Sequence, residues 1–204
     1  MGIALSVVAL LGPWWVVDAS GGYFTAPMTG TAEYGPFGVS ETLQIGSPFN
    51  STSINATDYS FAPNIGRVFA LGASLTVLGA LSGGGMVLMA SVPRLTESRG
   101  RLRASVGILA FVLTLAGLLV VTFLLPGAAT QDRGVTDYPF AGFWGATHYP
   151  GAMAVFANVT YGAGWGWYAV LSASLLFLIA AILLFRARPT ATPRASPATP
   201  QPPQ

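Results

Sequence analysis

Four apolar stretches divide the chain. They are residues 1–17 (MGIALSVVALLGPWWVV), about 65–92, about 104–125, and 165–185 (WGWYAVLSASLLFLIAAILLF). A helix needs about 20 apolar residues, at about 1.5 Å each, to cross a hydrocarbon layer of roughly 30 Å. The last three stretches reach that length. The first is shorter and carries Pro13 near its end, where a proline distorts only a final turn. Between the apolar runs lie two long polar and aromatic segments, 18–64 and 126–164, and one short basic link. The pattern predicts an α-helical membrane protein. Its fold class would be a four-transmembrane-helix bundle with a small extracellular antiparallel β-sheet from the first outer loop, spanning residues 1–186. A Pro/Thr-rich tail, 187–204, lacks the apolar residues to build a core.

The first stretch has a competing reading. Val17-Asp18-Ala19 has the character of a signal-peptide cleavage site, which would leave a mature N-terminus at Ser20 and three helices. Trp14 and Trp15 suit an interfacial aromatic belt and favour a retained helix. A start upstream of Met1 is a further alternative.

Inside the first loop, short runs rich in Thr, Tyr, Phe and Val are separated by Gly and Pro. That texture predicts a strand around Gly30–Tyr34, a turn at GPFG and a second strand around Val39–Ile45. In the second loop, FANVTY is a candidate edge strand. Segment two carries Gly72, Gly79 and Gly83, small residues that let helix backbones approach closely.

Composition agrees with the bilayer. The chain is 52% hydrophobic and 8% charged, with mean hydropathy +0.61, against roughly 25% charged in soluble domains. All nine cations are arginine. Arg94, Arg99, Arg101 and Arg103 crowd the short link, and Arg186, Arg188 and Arg194 follow segment four. The two long loops hold six of the seven acids and only Arg133. Arginine-rich short loops stay in the cytoplasm, so the expected site is the cell membrane, with both termini cytoplasmic and both long loops outside. Three of the four asparagines, Asn50, Asn55 and Asn158, stand in N-x-[ST] triplets, all in those loops, and are candidate glycosylation sites.

Candidate chemistry is sparse. There is no cysteine, hence no disulfide or thiolate site. His148 is the single histidine and has no ligand-spaced companion. No GxSxG occurs, and the glycines at 83–85 lack a P-loop lysine. No apolar segment carries an ionisable residue at its middle, where transport and proton-relay groups sit. Asp132 and Asp137 flank Arg133 and read as a solvated face. Asp18 and Arg67, at the outer ends of segments one and two, are a candidate interfacial ion pair. No catalytic, cofactor or metal residue is expected. The partners expected are the lipid bilayer and a protein, or a second copy, met through outer loops and helix faces; nucleic acid is not among them.

In its layout the chain resembles the claudin superfamily in the broad sense, which includes claudins, peripheral myelin proteins, fungal cortical-patch proteins and prokaryotic tetraspan proteins. The residues carrying the resemblance are Trp14 and Trp15 at the end of the first segment and YGPFGVS (Tyr34–Ser40) in the place of the family's Gly-Leu-Trp turn. The sequence lacks the two loop cysteines of that signature. The resemblance implies four helices with both ends inside and a long strand-forming first loop. The roughly 80 residues of the outer loops, partly strand-forming, favour a non-catalytic role in cell-surface or envelope organisation or adhesion. The alternative is a small accessory subunit of a larger membrane enzyme or transporter.

Overall fold

The computed structural model describes residues 1–23, 26–91, 100–132, 140–148 and 156–186. In chain order the elements are α1 (Gly2–Leu10), β1 (Trp15–Tyr23), β2 (Ala26–Gly35), β3 (Gly38–Ile45), β4 (Ser51–Thr57), α2 (Pro63–Ser91), α3 (Gly100–Gln131), β5 (Gly145–His148), β6 (Phe156–Ala163) and α4 (Trp165–Arg186).

Among the described residues three helices, α2, α3 and α4, are long and apolar enough to cross a membrane. Their outward surfaces are leucine, isoleucine, valine and phenylalanine, among them Leu81, Leu88, Ile108, Phe123, Ile179 and Leu183. The expected four-helix transmembrane bundle is not what forms. Helix α1 has nine residues, about 13.5 Å at 1.5 Å per residue, less than half of a hydrocarbon layer. It packs beside α4 and α2, with Gly2 against the ring of Phe177. The apolar run continues past it, but Trp15, Val16 and Val17 belong to a strand.

That strand is the second correction. The sheet has six antiparallel strands in the order β4-β3-β2-β1-β6-β5, and it is larger than a hairpin from one loop. β1 runs unbroken through Val17, Asp18 and Ala19 and is bonded on both sides, with Trp15 opposite Tyr34 of β2 and Ala163 of β6. Strand periodicity explains the choice. Trp15, Val17 and Ala19 fall on one face, and Val16, Asp18 and Ser20 on the other. β2 and β3 pair from Met28↔Ile45 to Gly35↔Gly38, with the turn at Pro36-Phe37. FANVTY lies within β6, an interior strand between β1 and β5. NSTSINAT, with no strand expected over it, supplies β4, which pairs with β3 and forms the sheet edge.

Helix α3 continues through Pro126 to Gln131, six residues beyond the predicted end. The bundle is drawn together by small residues. A Cβ on Gly72 would meet Val121 at 2.6 Å and the Gly117 carbonyl at 3.0 Å, and one on Gly79 would meet Thr114 at 2.5 Å. Gly83 abuts the Phe177 ring of α4. Glycine at these points sets the helix separation. The buried hydroxyls are satisfied within their own helices: Thr76 donates to Gly72 O (3.0 Å) and Thr114 to Ala110 O (2.8 Å). Within the bundle Trp167 Nε1 of α4 donates to Thr122 Oγ1 of α3 at 3.0 Å.

Candidate functional site

The sheet joins the bundle at the end where α2 and α4 begin and α3 ends. Its two faces differ because β-strand side chains alternate. One face is apolar and closes on the helix ends. Its centre is Trp15, fully buried, whose ring lies 4.8 Å from Phe140, 5.2 Å from Tyr34 and 6.0 Å from Tyr161. The Trp15 indole N–H donates to Phe143 O at 2.9 Å. Trp14 is equally buried, donates to Ala9 O at 2.8 Å and approaches Gly72. The two tryptophans are therefore core residues and not an exposed aromatic belt. Tilted and edge-on ring contacts of this kind add roughly 0.5–1.5 kcal/mol each beyond the buried area.

Tyr59 locks the sheet to the bundle, and Asp132 ties the end of α3 to the start of α2. Tyr59, just before α2, places its hydroxyl 2.6 Å from Gly35 O and 3.1 Å from Gly38 O, pinning the β2–β3 turn. Its ring stacks on Phe69. Burial raises the Tyr59 phenol, and burial with the nearby Glu41 charge pushes Tyr34 up to about 12. Asp132, expected in a solvated face, is buried. It accepts the backbone N–H of Ile65 (2.9 Å), the N–H of Asn64 (3.3 Å) and the Asn64 side-chain amide (2.7 Å). Helix α2 opens Ala62-Pro63, with no side chain able to cap it and no acid in its first turn. A carboxylate from the end of α3 supplies what the local sequence lacks, satisfying N–H groups that would otherwise be orphaned. The uncapped Ala62 was the signal that a remote acid was needed.

The opposite face is polar and open. Cross-strand register aligns Thr160, Asp18, Thr31 and Thr42 in one row, and His148, Asn158, Ser20, Thr29, Gln44 and Thr52 in the next. Thr31 donates to Asp18 Oδ1 at 2.7 Å, and His148 Nδ1 lies 2.7 Å from Asn158 Oδ1. A shallow depression of about 260 Å³ runs over Asp18, Ser20, Thr29, Thr31, Asn158 and Thr160. Such a face offers hydroxyl donors and acceptors with little charge, suited to a hydrogen-bonded surface contact.

Asp18 and Arg67 are not brought together. Asp18 is held by Thr31 in mid-sheet, while Arg67 is exposed on α2 with Asn64 Oδ1 at 3.4 Å. Asn50 has φ 44°, the left-handed region that asparagine tolerates, and is exposed just before β4. Asn55 is exposed on β4 opposite Glu41, on the edge of the apolar face. Asn158 is exposed on the polar face. Asp58 is exposed, and hydrogen bonds from Ser60 hold its carboxyl below the usual carboxylate value. Arg94, Arg99, Arg133, Asp137, Arg188 and Arg194 lie outside the described residues. Among the described residues no three His, Cys, Asp or Glu side chains gather as a metal site. Comparison with protein-family models and with curated proteins returns no match for the chain.

Proposed function

We propose that the chain is a non-catalytic integral protein of the cell membrane that holds its sheet outside the cell, where the polar face meets a protein partner or a second copy in adhesion or envelope organisation. The observation carrying this reading is the sheet itself. Six strands are held by Trp15 and Tyr59 against the ends of three apolar helices, and present two rows of mostly hydroxyl and amide side chains to solvent. Arginine supports the orientation. Arg101, Arg103 and Arg186 occur at the helix ends remote from the sheet, the side that basic residues keep in the cytoplasm. At the sheet end, Trp144, Trp165 and Tyr168 are half-exposed, as an interfacial belt requires. The claudin-superfamily resemblance is proposed on the strand-forming first loop and the YGPFGVS turn alone.

The test is Thr29→Arg with Thr42→Arg, which adds two charges to the polar face without touching the apolar one. The double variant should insert at normal levels and lose cross-linking to its partner. Unchanged association, with co-purification at fixed stoichiometry in a larger complex, would overturn this reading for the accessory-subunit one. In a host that glycosylates N-x-[ST] triplets, Asn55 and Asn158 should carry sugar, and Asn50 less, being five residues from Asn55. A glycan on Asn158 would stand on the polar face itself, so Asn158→Gln should strengthen association there. Mass spectrometry of the native protein reads the occupancy.

A further inference from the structure

Arg103 stands in the first described turn of α3 and is only 7% exposed, yet among the described residues its Nε and Nη2 have no hydrogen-bond partner. One turn on, on the same helix stripe, Gly107 faces Met86 Sδ of α2 and Ala181 of α4, at 2.8 and 3.0 Å from a Cβ there. Arg103 therefore lies on the stripe of α3 that faces α2 and α4. Counting about 1.5 Å per residue, Arg103 lies roughly 6 Å beyond the Gly107–Ala181 contact, and Arg186 about 7.5 Å beyond it on α4. Arg101 is adjacent and exposed. No acid is present in the first turn of α3, and among the described residues this end of the bundle holds three arginines and no carboxylate.

A buried cation persists only where something pairs with it. The planar guanidinium fork matches a phosphate oxygen pair, and the free N–H groups at the start of a helix favour an anion in the same place. We infer that Arg103, with Arg101 and Arg186, binds the phosphate of an anionic phospholipid headgroup in the leaflet remote from the sheet. That stripe reaches the depth where headgroups lie, if α2, α3 and α4 cross the bilayer as proposed above. Surface attraction alone would not bury one arginine and leave Nε and Nη2 without a partner among the described residues.

The experiment uses the full chain in nanodiscs of phosphatidylcholine, with or without phosphatidylglycerol. Retained lipid is read by native mass spectrometry and stability by the thermal midpoint. Incorporation into the discs tests the spanning reading separately. Phosphatidylglycerol should be retained preferentially and raise the midpoint. Arg103→Met should cut that preference about tenfold, and Arg101→Met about fivefold or less. Arg103→Lys, which keeps the charge and loses the fork, should fall between wild type and Arg103→Met. In phosphatidylcholine alone, Arg103→Met should fold at least as well as wild type, since it removes an unpaired buried charge. Equal losses from Arg101→Met and Arg103→Met would reduce the site to surface attraction and overturn the proposal. An equal rise with inorganic phosphate in detergent would assign the site to free phosphate instead of lipid. Absence of lipid preference, with Glu97→Gln and Arg103→Met non-additive in stability, would make Glu97 the partner and end the proposal.

Discussion

At the residue scale, the side chains that hold this molecule together do so across long sequence separations. Asp132 is the clearest case: its carboxylate meets Asn64 and Ile65, 68 and 67 positions away. Asp132→Ala would orphan two backbone donors at the start of α2 and should lower stability by about 2 kcal/mol. Asp132→Asn, which keeps one acceptor, should recover part of that. Thermal melts in detergent measure both. The tyrosines set an alkaline limit. Folding raises the phenols of Tyr34 and Tyr59 above their ordinary value of 10, Tyr34 to about 12, so the fold favours the protonated form. That contribution is complete below pH 10 and drains away as pH climbs from 10 toward 12 and beyond. Tyr34→Phe should leave the melting temperature at pH 7 nearly unchanged and flatten the loss between pH 10 and 12.

At the element scale, the glycines of α2 and α3 have opposite roles. A Cβ at Gly117 would come 2.5 Å from the Gly72 carbonyl, and backbone cannot yield as a side-chain tip can. Gly117→Ala should therefore push α2 and α3 apart and cost about 1–3 kcal/mol. Gly84 and Gly85 face nothing within 4 Å. Gly84→Ala should be neutral or stabilising by about 0.5–1 kcal/mol through lost backbone entropy in the unfolded chain. Denaturation in detergent separates the two, and a harmful Gly84→Ala would show that those glycines face a partner. Sequence spacing singled out Gly72, Gly79 and Gly83 on α2. It did not reveal Gly107 and Gly117, the α3 glycines that make the approach mutual, because closeness belongs to a pair of helices and not to one.

At the scale of the whole molecule, the proposed placement has a clean assay because the chain contains no cysteine. Ser53→Cys on β4 should react with a membrane-impermeant maleimide in intact cells. Arg188→Cys should react only after the membrane is opened. The reverse pattern would invert the orientation, and labelling of both in intact cells would defeat spanning by α2, α3 and α4 together.

Local residue pattern was enough to specify the three long helices and the β2–β3 hairpin. A long apolar helix satisfies its own backbone hydrogen bonds, and a turn such as GPFG between strand-prone runs is a local choice. The boundary between α1 and β1 lay beyond that reach. WWVV is apolar whether it ends a helix or begins a strand, and only pairing to both β2 and β6 decided for the strand. The same holds for β4, where Ile54 and Ala56 alone interrupt serine, threonine and asparagine, too little to announce a strand, and pairing to the edge of β3 orders it. Asp132 as a cap, Trp15 as the centre of the interface and Arg103 as an enclosed cation each depend on a partner far along the chain. Tertiary structure decided them because burial and hydrogen-bond satisfaction belong to a surrounding, and no single stretch of sequence contains its own.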